Sequence, residues 1–244
     1  MYGLIGYPLS HSSSKGYFNK KFKSEGLDAE YINFEIPTIR EFNALIAANP
    51  NLQGMNVTIP YKEQVIKYLD ELDEATQEVG AVNVIKFIRT QNGLKLKGYN
   101  SDIVGFSDSI EPMLKEYHQK ALILGSGGAA KAIAYALRKL GVTPTYVSRK
   151  PMKGQLAYSD LNRKVMQDYL VIVNATPVGM YPKVDEAPDI PYNELTSRHL
   201  LYDLLYNPEV TKFLQQGKER GTIIKNGLEM LLLQAFEAWK IWKI

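Results

Sequence analysis

The stretch ALILGSGGAAKAIAYAL at residues 121–137 constrains the fold of this chain most, because its glycines separate a short apolar strand from an apolar helix near mid-sequence. Residues 121–124 read as a buried strand, and Gly125, Gly127 and Ala130 occupy the three small-residue positions of the G-x-G-x-x-G/A fingerprint. The first permits a tight turn, the second lets the backbone approach a pyrophosphate, and the third lets helix pack on strand. Free N–H groups at the start of a helix at 129–140 then face the phosphates, with the positive end of the helix dipole behind them. Ordinary tight turns use similar letters, so the surroundings must decide. A phosphate-binding turn at this place also leaves residues 1–120 to be explained.

An NAD-type site shows Asp or Glu at the end of the second strand, about twenty residues past the glycines, where it accepts hydrogen bonds from the ribose 2′-hydroxyl. This chain reads Thr145, Tyr146, Val147, Ser148, Arg149, Lys150 there, with Lys153 just beyond. A carboxylate would repel a 2′-phosphate, whereas Arg149 holds one in a fork and Lys150 and Lys153 add point charge. The pattern predicts NADP rather than NAD, against the plainer alternative of a solvated basic loop.

With 244 residues, 45% of them hydrophobic, the chain can bury one large core or two modest ones, and two fit the pattern better. A net charge of +3, with acids and bases mixed along the chain, gives no footprint for nucleic acid. Cysteine is absent, which excludes a disulfide framework and thiolate chemistry. His11, His118 and His199 are too few and too scattered for a zinc site, so no metal is expected. No window approaches the roughly 20 apolar residues of a membrane span. The opening MYGLIG reads as a strand instead of a signal peptide, so a cytoplasmic protein with no membrane partner is expected.

Strand and helix patterns alternate from the start. A strand at 2–7 ends at Pro8, polar residues 10–14 lead into a helix at 15–25, and a strand at 30–35 precedes a helix at 39–48. A strand at 54–59, a helix at 61–69, a strand at 81–87 and its hairpin partner at 94–99 complete this half. A second set of strands follows at 121–124, 145–148, 170–174, 199–204 and 222–225, with helices between some of them. The alternation predicts an α/β fold with a mostly parallel sheet and one added hairpin. The last amphipathic helix, 227–244, carries both tryptophans and is expected to return to the first domain.

Three polar clusters in the first half fall at strand ends, where open α/β sheets place their ligands. In Ser10-His11-Ser12-Ser13-Ser14 one serine suffices to cap the following helix, and two further hydroxyls at alternate positions suit a small carboxylate. No G-x-S-x-G elbow supports a serine nucleophile, so hydrolysis is disfavoured. In the second cluster, 54–62, Pro60 suits a first helical turn and Lys62 follows within that turn, where the helix dipole disfavours a cation. A lysine so placed beside a polar pocket suits proton transfer, although a single lysine is more often a surface charge. The third cluster, Tyr99-Asn100-Ser101-Asp102, reads either as a helix-capping turn before 103–110 or as the source of a carboxylate that pairs with Lys62.

Taken together these residues resemble the shikimate dehydrogenase family over nearly the whole chain. The family's S-x-S substrate motif looks like Ser12-Ser13-Ser14, its N-V-T-x-P-x-K motif matches 56–62, A-V-N matches Ala81-Val82-Asn83, and N-T-D appears as Asn100-Ser101-Asp102. The glycine loop, the N-A-T-P-x-G-M run at 174–180, the aromatic at Tyr206 and the closing N-G-L-x-M-L-x-x-Q at 226–234 keep the family order.

The resemblance implies an N-terminal open α/β substrate domain at 1–102 plus 226–244, a Rossmann-like NADP-binding domain at 103–225, and an active-site cleft between them. It implies reversible reduction of 3-dehydroshikimate to shikimate by NADPH, in the shikimate pathway to chorismate and aromatic amino acids, by a monomer or homodimer. By the same resemblance Ser12 and Ser14, with Tyr206, hold the substrate carboxylate. Thr58, Asn83, Asp102 and Gln234 bind the ring hydroxyls, and Lys62 is the acid/base group with Asp102 beside it. Gly125, Ser126, Gly127, Gly128, Ala129, Ser148, Arg149, Lys150, Lys153, Thr176, Leu204 and Gly227 bind the cofactor, with Gly227 where a missing side chain admits the nicotinamide. Hydride transfer to a ketone leaves a developing alkoxide, which needs a proton donor and nearby positive charge, and lysine provides both.

The chain departs from the family pattern in three places. Lys15-Gly16 stands where the family has Pro after the serines. The adenosine-end motif N-R-T-x-x-R appears as Ser148, Arg149, Lys150, Pro151, Met152, Lys153, so the final Arg becomes a Lys that keeps charge but loses fork geometry. Residues 152–161 leave little room for the usual helix after the second strand. The rival readings are a quinate/shikimate dehydrogenase that uses NAD and a non-catalytic NADP-binding regulator.

Overall fold

The computed structural model describes residues 1–9 and 12–243, so Ser10 and His11 of the serine cluster, and Ile244, lie outside the described residues. The chain forms two compact units, Met1–Ser101 with Ala235–Ile244, and Asp102–Gln234.

In the first unit, β1 (Tyr2–Gly6), β2 (Tyr31–Glu35) and β3 (Gly54–Val57) run parallel with β1 in the middle, connected through α1 (Ser14–Ser24) and α2 (Phe42–Ala48). β4 (Glu71–Leu72) and α3 (Glu74–Val79) precede a hairpin of β5 (Val84–Thr90) and β6 (Gly93–Tyr99). Among the described residues the sheet order is β2-β1-β3-β5-β6-β4, antiparallel where β5 meets β3 and β6 and parallel elsewhere. All five residues of β1 are buried, as a central strand covered on both faces requires. Alternation along the strands splits the core in two. Ile5, Met55, Val57 and Ile85 pack with Phe42 and Val65, while Tyr2, Leu4 and Val84 pack with Phe18, Phe22, Trp239 and Trp242.

An α-helix is expected at 61–69, but the chain turns at Lys62 and forms a 3-10 helix over Gln64–Tyr68. One α-type bond forms, from the Val65 N–H to the Tyr61 carbonyl at 2.9 Å. The Lys62 carbonyl that would continue the ladder instead accepts the Val82 N–H at 2.7 Å. Lys62 therefore does not occupy the first turn of an α-helix, and the dipole argument for it falls.

The second unit opens with α4 (Asp102–Ile110) and continues through β7 (Lys120–Leu124), α5 (Gly128–Lys139), β8 (Thr143–Ser148), β9 (Leu156–Ala157), α6 (Arg163–Asp168), β10 (Val171–Asn174), β11 (Leu200–Asp203), α7 (Lys212–Glu219), β12 (Ile223–Lys225) and α8 (Leu228–Lys243). Its strands pair in parallel throughout, in the order β12-β11-β10-β7-β8-β9. Read from β9, that order is the doubly wound 3-2-1-4-5-6 arrangement, with its reversal between β7 and β10. Between β8 and β9 runs a loop in place of a helix. Ala121, Ile123, Val171 and Val173 face α4 and α5, and Leu122, Leu124, Ile172 and Leu201 face Phe213 and Leu214 of α7.

From Ala235 onward α8 belongs to the first unit. The missing side chain of Gly54 leaves the space that the Trp242 indole fills, and the indole N–H donates to the Ile85 carbonyl at 3.1 Å. No helix among the described residues is long and apolar enough to cross a membrane.

Candidate active site

The candidates of the first unit gather at one end of its sheet. β1 and β3 are parallel, so their C-terminal ends finish side by side, and β5 runs against β3, so it begins there. Ser12 and Ser14 follow β1, Thr58 and Lys62 follow β3, and Asn83 precedes β5. Backbone bonds tie these segments together. The Thr58 N–H donates to the Ile5 carbonyl at 2.9 Å, the Val57 N–H to the Asn83 carbonyl at 2.9 Å, and the Asn83 N–H to the Tyr99 carbonyl at 3.0 Å.

Beneath them lies a side-chain network. The buried Tyr31 hydroxyl donates to Asn56 Oδ1 at 2.7 Å, and Asn56 Nδ2 donates to the Asn83 carbonyl at 3.2 Å. Asn83 Oδ1 accepts the Ser101 N–H at 2.7 Å, and Asn83 Nδ2 donates to Ser101 Oγ at 3.0 Å. Burial pushes the Tyr31 phenol well above its ordinary pKa, so it is a protonated donor at neutral pH. The serines do not act as the sequence suggests they would in capping. Ser13 is the N-cap of α1, yet its side chain makes no capping bond, and Ser12 Oγ instead accepts the Ser14 N–H at 3.4 Å.

Ser101 directly precedes Asp102, which is buried and opens α4 in the second unit. Lys62 and Asp102 thus belong to different units. One turn on from Asp102, Gly105 meets α8 so closely that a Cβ there would come within 2.9 Å of Gln234 Cβ and 2.8 Å of the Met230 carbonyl. Gln234 is therefore the neighbour of the α4 turn that starts at Asp102, and its side-chain amide donates to the Leu231 carbonyl at 2.9 Å.

The parallel strands of the second unit bring their C-terminal ends, and the remaining candidates, to one edge. Gly125 has a φ of 105°, reachable at low cost only without a side chain, and its N–H donates to the Val147 carbonyl at 2.9 Å. A Cβ at Gly125 would stand 3.1 Å from Thr176 Cγ2, so the glycine turn and the loop after β10 touch. α5 begins at Gly128 with Gly127 as its N-cap, which provides no side chain to satisfy the first N–H groups, and the first turn holds no acidic residue. Space around a Cβ built on Gly127 is open to 4 Å. Ser126 and Gly127 are exposed, and Gly128 and Ala129 are half-buried. Unsatisfied donors, a positive dipole end and an open cradle fit a pyrophosphate.

At the end of β8, Ser148 Oγ accepts the Lys150 N–H at 3.2 Å and turns the chain. Arg149, Lys150 and Lys153 are exposed beyond it, with no carboxylate at the strand end, which fits a 2′-phosphate. Leu204 and Tyr206 follow β11, and both are half-buried. The Cβ position of Gly227 is filled by the Leu204 carbonyl, and the Gly227 N–H donates to the Leu205 carbonyl at 2.9 Å. Backbone packing thus demands glycine at 227, and the argument that its missing side chain makes room for a nicotinamide does not hold for that direction.

Sequence reasoning missed the buried group that joins these loops. Asp203, fully buried at the end of β11, accepts the Thr211 hydroxyl at 2.5 Å, Asn174 Nδ2 at 3.0 Å and the Leu205 N–H at 3.1 Å. Asn174 Oδ1 in turn accepts the Thr176 hydroxyl at 2.6 Å and its N–H at 3.1 Å. Burial raises the Asp203 carboxyl to about 6 even though these donors favour its charged form. The available signal was a polar residue closing each of two apolar strands, VIVN and LLYD.

A family model described as "Shikimate dehydrogenase substrate binding domain" matches residues 4–85. The shikimate dehydrogenase (NADP(+)) of Methanosphaera stadtmanae is 34% identical over 258 residues, covering 98% of this chain and 90% of that protein. The crystal structure of shikimate dehydrogenase from Aquifex aeolicus superimposes with a TM-score of 0.85 at 34% identity, covering 99% of this chain and 91% of the other. Shikimate 5-dehydrogenase from Thermus thermophilus, solved in complex with NADP(H) and shikimate, gives a TM-score of 0.85 at 28% identity, covering 99% and 92%. With relatives of that identity aligned along almost its entire length, the chain belongs to the shikimate dehydrogenase family.

Proposed function

We propose that this chain catalyses the reversible, NADPH-dependent reduction of 3-dehydroshikimate to shikimate, a step toward chorismate and the aromatic amino acids. The observation that carries the reading is the gathering of Lys62 with Ser12, Ser14, Thr58 and Asn83 at one sheet end, in a chain whose relatives bear that enzyme's name. Residues 1–102 with 226–244 form the substrate domain in this reading, and 103–225 the NADP domain.

When bound, NADPH would supply a hydride for the ketone carbon. Lys62, as an ammonium, gives its proton to the ketone oxygen as that oxygen becomes an alkoxide, and takes it back in the reverse direction. Asp102 is the carboxylate that partners it and a ring hydroxyl. Ser12 and Ser14, with Tyr206, hold the carboxylate of the substrate, and Thr58, Asn83 and Gln234 hold ring hydroxyls. Ser126, Gly127, Gly128 and Ala129 offer backbone donors to the pyrophosphate after the turn at Gly125. Ser148, Arg149, Lys150 and Lys153 take the adenosine end with its 2′-phosphate, and Thr176, Leu204 and Gly227 line the remainder. The same reading places the enzyme in the cytoplasm as a monomer or homodimer.

A steady-state assay that follows NADPH absorbance with 3-dehydroshikimate tests substrate and cofactor together. Shikimate with NADP⁺ is expected to be the preferred pair in the reverse direction. Faster turnover of quinate with NAD⁺ would replace this reading with the quinate/shikimate one.

A further inference from the structure

The strand order of the second unit reverses between β7 and β10, and at such a point an open α/β sheet leaves a crevice for its ligand. One lip of that crevice is the glycine turn after Leu124, and the other is the loop after Asn174, which pairs with Leu124 in the parallel register. Asn174 is fully buried, and both ends of its amide are engaged twice. Its Oδ1 accepts the Thr176 hydroxyl at 2.6 Å and the Thr176 N–H at 3.1 Å, while its Nδ2 donates to Asp203 Oδ1 at 3.0 Å and to the Val178 carbonyl at 3.3 Å. A flipped amide would set an oxygen against a carboxylate and a carbonyl, and an N–H against an N–H, so the acceptors facing Nδ2 fix its orientation. The Thr176 hydroxyl gives its proton to Asn174 and accepts the Val178 N–H at 3.2 Å, which turns it inward and leaves the threonine methyl toward Gly125.

We propose that Asp203 and Asn174 are a buried positioning pair for the cofactor, in which Asp203 orients the Asn174 amide and Asn174 holds residues 175–178 as the wall facing the glycine turn. This rests on the reading above in which the glycine turn and Thr176 border NADP. Neither side chain of the pair is exposed, so neither touches the cofactor, and any effect on its binding passes through the loop. The other carboxylate oxygen, Asp203 Oδ2, accepts the hydroxyl of Thr211, the N-cap of α7. Asp203 thus serves α7 with one oxygen and Asn174 with the other. Without the Asn174 arm the loop must be ordered when the cofactor arrives, and that cost appears in cofactor affinity.

Calorimetric titration of the full chain with NADP⁺ reads the pair without turnover. Asn174→Ala is expected to raise the Kd for NADP⁺ about five- to tenfold, the size of one net hydrogen bond, while the KM for shikimate at saturating NADP⁺ stays within about twofold. Thr211→Val removes the other arm and the cap that Thr211 Oγ gives the Leu214 N–H, so it should lower Tm and leave the NADP⁺ Kd within about twofold. Asp203→Ala should weaken NADP⁺ as Asn174→Ala does, and the double variant should bind it no worse than the weaker single one. An unchanged Kd in Asn174→Ala, an equal rise in Thr211→Val, or additive losses in the double variant would each overturn the positioning role. Where an alanine variant does not fold, Thr176→Val takes its place, since it keeps the methyl toward Gly125 and removes the hydroxyl that joins the loop to Asn174. The same rise in Kd is expected there, and an unchanged Kd overturns the pair. A wild type that does not bind NADP⁺ overturns the cofactor placement and this inference with it, whereas one that binds NADP⁺ without turning over shikimate overturns the proposed function alone.

Discussion

Lys62 is rooted by its own backbone, since its carbonyl is fixed by Val82 while its side chain extends from the turn after β3. If it supplies the proton for ketone reduction, Lys62→Ala lowers kcat by about 100-fold or more, the usual loss for a general acid, with NADP⁺ affinity by titration intact. Turnover like the wild type's would remove Lys62 from the mechanism, and a wild type that binds NADP⁺ without any turnover would be the regulator. Arg149 is exposed at the end of β8 and so is no part of the core; in the proposed reading it holds the 2′-phosphate. Arg149→Ala is expected to raise the KM for NADP⁺ by about 10- to 100-fold, as loss of a charge-assisted hydrogen bond would, and to change the KM for NAD⁺ little. Equal effects on both cofactors would show that Arg149 does not read the 2′-phosphate. Lys62 and Arg149 were picked out as candidates in the sequence as charges just past apolar strands, and Asn83 by its family motif. Tyr31 was not, since an aromatic residue at the start of a strand reads as core, and by its ring it is core.

Among the elements, the long strands could be read from their apolar runs, and the glycine turn from its spacing. The two-residue strands β4 and β9 are too short to show a period, and the helix expected at 61–69 fails because a carbonyl is captured from 20 residues downstream, by Val82. Gly227 shows the same limit from the other side. Its residue type was legible, but its reason lies in the chain after β11, whose Leu204 carbonyl occupies the Cβ position. Gly227→Ala must push β11's exit away from the start of α8, at a cost of about 1–3 kcal/mol for overpacking. Denaturant unfolding should register that loss in the variant without any cofactor present. A stability equal to wild type, with only the NADP⁺ KM altered, would return Gly227 to the role of making room for the ring.

At the scale of the whole molecule, both sheets place their candidate residues at the C-terminal ends of parallel strands, as open α/β sheets do. The opposite edge of the second sheet carries two buried histidines with a different task. His118 Nδ1 accepts the Lys115 N–H at 3.0 Å and its Nε2 donates to the Arg198 carbonyl at 2.9 Å. His199 repeats the arrangement, with the Thr196 N–H at 3.0 Å and the Met166 carbonyl at 2.8 Å. Each ring is thereby fixed as the neutral Nε2–H tautomer, since a proton on Nδ1 would face an N–H. Burial lowers the pKa of both below the ordinary 6.5. The unfolded chain therefore binds protons near and below pH 6.5 that the folded chain refuses, so stability rises with pH through this window and is lost as pH falls, by up to roughly 1.4 kcal/mol per pH unit for each proton. Asp203 has the opposite sign. Its folded pKa, about 6, lies above the ordinary 3.8, so the folded chain takes up the proton first and acidification from pH 6 toward 4 favours it. His199→Gln should flatten the fall in Tm between pH 7 and pH 5, and Asp203→Asn should steepen it, each measured against the wild-type profile. Identical slopes in all three proteins would mean that acid sensitivity arises elsewhere in the chain.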